Sequence, residues 1–370
     1  MSLTVQRIRY PPFEHGHMDP SEVPIVEAVI DVEDGNVPEF IIGTDDGWFV
    51  EWRPYTDEFS NTPRIESDVG FETPSFIKRS RIGWYIDPDP LHNISRRLIA
   101  PTVVLLILSL FVHAIEPGLV EWGVISQSIA GSFRFGPLEY PKLLMFAFPI
   151  FLMPLIFRMI ANLRDLSRQK TLMKLDYQRP DISIHANPGR VPISRGRDVV
   201  TLTIDRNHND LLMTRSRIQV GVAVPERSTV LDVLGRREGR QPSPGMSTRL
   251  PQHRVATGDY EGTGVGEATP MVVPNRRAAV LEPMRVMASG EWVNHDADSR
   301  RISLPVPDAN WPGTIYSSLI AIHWELVVEF ISTHGSIFKW VEPVTIPHHS
   351  SSTSISTAPT RSGRAEMSNY

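Results

Sequence analysis

The chain contains no cysteine among its 370 residues. That absence removes disulfide staples, thiolate nucleophiles and cysteine-built zinc sites together. A surplus of positive charge is missing too. The 37 Lys and Arg stand against 42 Asp and Glu, a net charge of −5, so there is no overall basic footprint for nucleic acid. With mean hydropathy of −0.14, the apolar excess of a many-spanning transporter is also lacking. Neither G-x-S-x-G nor H-E-x-x-H occurs, which leaves no motif for a serine nucleophile or a protease zinc. No cofactor, metal or catalytic residue is expected.

Pro (32) and Gly (24) are plentiful, and they favour short strands and turns over long soluble helices. Against that background two apolar runs stand out. Leu98–Ile115, LIAPTVVLLILSLFVHAI, has no formal charge. As a helix it is about 27 Å long, close to the hydrocarbon thickness of a bilayer. Leu143–Ala161, LLMFAFPIFLMPLIFRMIA, holds one charge, Arg158, and two prolines, which membrane helices tolerate better than soluble ones. Neither run shows the polar stripe of a soluble amphipathic helix. Transmembrane helices are expected at 98–115 and 143–161, joined by a loop over 116–142.

Basic residues flank the pair. Arg96 and Arg97 precede the first run; Arg164, Arg168, Lys170 and Lys174 follow the second, in a polar juxtamembrane helix over 162–179. These six are the expected lipid-headgroup contacts. The connecting loop has only Arg134 and Lys142 against Glu116, Glu121 and Glu139. The asymmetry puts both termini in the cytoplasm of an integral membrane protein, with the plasma membrane the expected site. Trp122 and Tyr140 suit the interface, and Leu119–Ala130 reads as a short helix lying on the surface. His113, inside the first run, reads as a neutral imidazole near the outer interface.

Residues 1–90 form an acidic cytoplasmic segment. Within 1–60, thirteen acids face Arg7, Arg9 and Arg53. Val23–Val32 and Glu39–Trp52 carry strand residues, and Asp46-Gly47 is a hairpin signal, so a small β unit is expected from Val23 to Tyr55. The acidic run at Asp31, Glu33 and Asp34 lacks the closing glutamate of a calcium loop, since position 42 is Ile. Solvated acids explain it better.

Beyond Pro180 the texture is β. Asp198–Arg206 and Arg215–Glu226 alternate, and four strand-like stretches follow Met284. Residues 181–346 are expected to form an antiparallel β-sandwich interrupted by a disordered insertion at 235–283, with a Ser/Thr-rich disordered tail at 347–370. Asp205, His208 and Asp210, like His295, Asp296 and Asp298, read as turns. His348 and His349 form a weak metal candidate.

One stretch carries a family resemblance. Ile302–Tyr316, ISLPVPDANWPGTIY, followed by Leu319–Leu326, LIAIHWEL, resembles the arrestin-like β-sandwich, including its sporulation-control relatives. The shared pattern is a strand ending in a Pro-rich loop, a small-Tyr-small turn, then a strand carrying Trp. Here Ser317-Ser318 follows Tyr316 where a Gly is common. The resemblance implies an immunoglobulin- or arrestin-like sandwich that binds proteins rather than performing chemistry. Trp311, in the Pro-rich loop, and Tyr316 are the candidate protein-binding residues. Trp324 is expected between sheets.

The fold class expected is thus a multi-domain membrane protein, a two-helix transmembrane hairpin carrying a mainly-β cytoplasmic part. Its expected role is a non-enzymatic adaptor for an unidentified protein partner, with lipid the other partner. The rivals are an accessory subunit of a larger membrane complex and a membrane-bound enzyme sited between the acidic segment and the sandwich. Orientation is testable in intact cells. A cysteine introduced as Ser128→Cys reacts with an impermeant thiol reagent from outside, and Ser354→Cys does not; the reverse pattern overturns the topology.

Overall fold

The computed structural model of the chain describes residues 2–9, 19–32, 39–56, 62–75, 82–87, 89–126, 130–174, 191–192, 198–203, 211–225, 227–235, 278–280, 288–295, 301–307, 311–333, 335–348 and 352–356. The strands ahead of the helices are β1 (Ser2–Arg9), β2 (Val26–Val32), β3 (Phe40–Gly43), β4 (Phe49–Pro54), β5 (Arg64–Ile65), β6 (Val69–Gly70) and β7 (Gly83–Ile86). Then come α1 (Leu91–Glu121), β8 (Ser132–Phe135), β9 (Leu138–Pro141) and α2 (Lys142–Lys174). After these lie β10 (Val191–Pro192), β11 (Asp198–Thr203), β12 (Leu211–Ala223), α3 (Arg227–Val233), β13 (Ala278–Val280), β14 (Ala288–Ser289), β15 (Val293–Asn294) and β16 (Arg301–Pro305). The last are β17 (Ile315–Ser317), β18 (Ala321–Ser332), β19 (Ile337–Pro343) and β20 (Thr353–Ile355). Two units result: Pro88–Thr171, and Met1–Asp87 together with Leu172–Tyr370.

The larger unit is built from sheets. One has the order β20-β3-β4-β1-β2-β5. Another runs β13-β7-β19-β18-β12-β14, with β15, β17 and β6 attached beside this path, and a third runs β10-β11-β16. A single apolar core takes residues from all three: Ile8, Val26 and Trp52 from the first, Ile218, Trp324 and Phe338 from the second, Ile302 and Leu304 from the third. Trp324 lies in it as expected, its indole N–H donating to the Pro312 carbonyl at 3.0 Å.

The acidic segment therefore does not close a core of its own. Its centre is β1, which pairs with β2 on one side and β4 on the other. The β3–β4 hairpin forms as read, with Gly47 N–H donating to Thr44 O at 2.9 Å. The left-handed residue is Gly43, at φ 102°, not Gly47. Residues 236–277 and 281–283 of the expected insertion lie outside the described residues. The tail, expected to be unstructured, contributes β20, which pairs in parallel with β3.

The face of β1 turned away from the core is charged yet buried. Arg7 stands in register with Glu27 on β2 and with Glu51 on β4. Its guanidinium donates to Glu27 Oε1 at 3.2 Å and to Glu51 Oε1 at 2.5 Å. Its cation also lies 5.7 Å from the Phe49 ring centre. Arg53 Nε also lies 3.5 Å from Glu51 Oε1, and Arg64 Nε 3.7 Å from Glu27 Oε2, so the two buried carboxylates share a network with Arg7 at its centre.

The smaller unit is a helical hairpin with an inverted distribution of polarity. Large side chains point outward: Phe111 is 60% and Phe146 69% exposed. Ser95, Thr102, Ser109 and Glu116, spaced by seven, are buried, as are Ala147 and Ala161. Ser95 Oγ donates to the Pro154 carbonyl at 2.7 Å, and His92 Nε2 lies 3.0 Å from Asp165 Oδ2. Pro101 falls inside α1, because the helix begins at Leu91 rather than at the apolar run. The adjoining Thr102 hydroxyl donates to Leu98 O at 2.8 Å, adding a side-chain bond where proline removes a backbone one. α2 runs unbroken from the apolar run to Lys174.

Arg7→Ala takes the nearest cation from two buried carboxylates, leaving them only the more exposed Arg53 and Arg64, and lowers stability by up to about 3–5 kcal/mol. Replacing Arg7 by Met together with Glu27 and Glu51 by Leu recovers most of that loss. Urea unfolding of the detergent-solubilised chain, followed by tryptophan fluorescence, measures both.

Candidate functional site

β18 alternates between two faces, and both are buried. Ile322, Trp324, Leu326, Val328 and Phe330 enter the shared core. His323, Glu325, Val327 and Glu329 turn to the opposite face and are nonetheless almost inaccessible. Polar groups so placed need partners inside the protein, and the neighbouring strands supply them.

The first set is a chain of hydrogen bonds. Register puts Gln219 of β12 opposite Glu325, and Tyr316 of β17 opposite Ala321, two residues before His323. The Tyr316 hydroxyl bonds His323 Nδ1, and His323 Nε2 lies 2.9 Å from Glu325 Oε1. Gln219 Nε2 donates to Glu325 Oε2 at 3.0 Å. With Glu325 ionised, Nε2 carries the imidazole proton, so Nδ1 accepts from the phenol. Thr73 and Thr345 meet beside it, their hydroxyl oxygens 3.4 Å apart. Burial pushes the Tyr316 phenol well above its ordinary range, the Thr73 hydroxyl bond opposes that rise, and the Glu325 charge adds to it.

The second set is a cation cluster on the same face. Arg215 grips Glu329 with two bonds of 2.9 Å. Lys339 Nζ donates to Asp87 Oδ2 at 2.5 Å. The Trp292 ring lies 4.5 Å from the guanidinium carbons of Arg215 and Arg217 and 5.7 Å from Lys339 Nζ. Beneath it Tyr85, Val327 and Val341 form a small apolar patch.

Phenol, imidazole and carboxylate in that order have the logic of nucleophile, base and orienter. Yet Tyr316 is only 8% exposed and its proton is held tightly, so the arrangement fastens β17 to β18 and β12 rather than presenting a reactive oxygen. No group of three or more His, Asp or Glu that could hold a metal occurs among the described residues.

The residues singled out from sequence are placed as follows. Trp311 belongs to the shared core and Tyr316 to the buried chain, so neither ring lies on an exposed surface. The Ser317 that departs from the family pattern has its own task. Its hydroxyl donates to Gln6 Oε1 at 2.6 Å and accepts from Ile320 N–H at 2.9 Å, tying β17 to β1. Arg96, Arg97 and Lys170 are exposed. Arg164 lies 3.7 Å from Asp89, and Arg168 pairs with the buried Asp165, so part of the basic flank is neutralised within the hairpin. Lys174 ends α2; its side chain lies outside the described residues. His113 Nδ1 is 2.8 Å from Glu116 Oε2. His295 Nε2 bonds Ser216 Oγ at 2.9 Å, and His348 Nδ1 accepts from Gly313 N–H at 3.1 Å. Asp205, His208, Asp210, Asp296, Asp298 and His349 lie outside the described residues.

Sequence reasoning passed over Gln219, Glu325 and Glu329. Their only signal was polar residues alternating with apolar ones in two paired strands, which also describes a solvent-facing edge. No family model, curated protein or solved structure matches the chain.

Because Tyr316 stays protonated to higher pH in the folded chain than in the unfolded one, its contribution is complete below pH about 10 and falls as pH rises further. Tyr316→Phe removes that titration and flattens the alkaline decline by up to about 1.4 kcal/mol per pH unit. At neutral pH it costs about 1–3 kcal/mol by unpairing His323 Nδ1. Unfolding free energies of both chains between pH 7 and 11 test this.

Proposed function

We propose that the chain is a membrane-anchored, non-enzymatic adaptor. Its helical hairpin spans a bilayer with both termini in the cytoplasm, and its β unit, a sandwich of the arrestin-like kind, offers a surface to a protein partner there. The observation that carries the anchor is the inverted polarity of the hairpin: Leu108 and Phe111 face outward along α1 while Ser109 faces inward. Water would favour the opposite arrangement. The 31 residues of α1 and the 27 of α2 from Lys142 to Arg168 are long and apolar enough to cross.

Two features support an adaptor over an enzyme. The one constellation with catalytic ordering, Tyr316–His323–Glu325, is closed off by burial. The acidic strands and the later strands share a packed apolar core instead of facing each other across a cleft.

Alkaline carbonate extraction leaves the chain in the membrane pellet. Leu108→Arg and Phe111→Arg, harmless changes on a watery surface, each cost about 2.5–3.5 kcal/mol of insertion and move a fraction of the chain to the supernatant. Extracted in mild detergent, the intact chain purifies with a stoichiometric protein partner; purification alone, as a monomer, overturns the adaptor reading.

A further inference from the structure

The connection between the two helices is not the surface helix expected at 119–130. α1 continues to Glu121, a turn follows at Trp122 and Gly123, and residues 132–141 fold into a two-stranded hairpin. Its turn is Gly136-Pro137. Gly136 takes φ 61° and proline is confined to negative φ, the combination of a II′ turn.

The register sorts this hairpin into two faces. Phe133 stands opposite Tyr140 on one face; Arg134 stands opposite Glu139 on the other. Phe133 and Tyr140 are 46% and 45% exposed, and Trp122 nearby is 79% exposed. A lone two-stranded sheet is marginal in water, so an aromatic face left open this way needs cover.

The hairpin is also fixed in place. Lys142 N–H, at the start of α2, donates to Gly131 O at 3.0 Å. Gly131 N–H donates to the Glu116 carboxylate of α1. Lys142 Nζ donates to Ala130 O at 3.0 Å and lies 5.8 Å from the Phe133 ring centre. Its base is therefore tied to both helix ends.

We propose that this hairpin is a lipid-docking element, its Phe133–Tyr140 face set into the headgroup–acyl boundary of the non-cytoplasmic leaflet. The inference rests on the spanning hairpin of the proposed function. Bilayer is the occupant because the hairpin is joined to two helices whose own large apolar side chains are exposed, Met145 and Phe146 at the start of α2 among them. The depth follows from the backbone. The outer edges of a two-stranded sheet carry unpaired N–H and C=O groups, which hydrocarbon excludes, and the Arg134–Glu139 face needs water. Aromatic side chains favour that level.

The cysteine-free chain allows a direct test. Single spin labels are placed by Phe133→Cys, Tyr140→Cys, Arg134→Cys and Glu139→Cys, with Leu105→Cys and Leu155→Cys as helix controls, in full-length chain reconstituted into phosphatidylcholine vesicles. Labels at 133 and 140 are reached by oxygen and shielded from a water-soluble nickel chelate, and those at 134 and 139 show the reverse. Nickel access at 133 and 140 equal to that at 134 and 139 overturns the proposal, and so does shielding from both reagents, which means protein cover. Nickel access at 105 and 155 instead defeats the spanning reading itself. In the unsubstituted chain, a phosphatidylcholine with a diazirine near its headgroup crosslinks to the 131–142 peptide more than one with the diazirine at its acyl end; the opposite ranking overturns the assigned depth.

Discussion

Closing several sheets over one core leaves each of them a second face, and in this protein much of that second face is buried as well. A carboxylate taken out of water must find its counter-charge or donors within the fold, and the side chains that do so decide which strands lie side by side. Arg7 stands between Glu27 and Glu51, so β1 is central to its sheet. Glu325 and Glu329 are met by Gln219 and Arg215, which holds Arg215–Ala223 of β12 against β18 in one register, beyond a shift between Met213 and Arg215. Slipping either pair by one residue would turn these groups into the apolar core.

The same logic runs in reverse in the helical unit. There the exterior is apolar and the buried positions are small or polar, and the helices are joined by Ser95 with the Pro154 carbonyl and by His92 with Asp165. Asp89 and Asp165 collect His92, Arg164 and Arg168 at one end, while Glu116 gathers His113 and the Gly131 N–H at the other. Each end of the helix pair is thus closed by carboxylates.

The apolar runs, the strand at Leu319–Phe330 and the β3–β4 turn were legible because hydrophobic length and period are local properties. β1 was not. Ser2–Arg9 mixes Val5 and Arg7 on one face with Thr4, Gln6 and Ile8 on the other, so apolar alternation hides a strand buried on both sides. β20 was missed for a related reason: Thr353–Ile355 has little apolar content and is ordered by pairing with β3, more than three hundred residues earlier. Tyr140 read as an isolated interfacial aromatic, and only strand register pairs it with Phe133. A sequence shows large rings such as Trp311 and Tyr316 without showing which way they face.

The bond from Ser317 to Gln6 spans 311 residues of chain and has a consequence for biosynthesis. At ribosomal speeds of about 5–20 residues per second, Gln6 waits roughly 15–60 seconds for its partner to be made. Throughout that interval the first sheet has a naked apolar side and the helical segment has already emerged. A nascent chain of this design depends on something shielding its opening strands until the last third is translated.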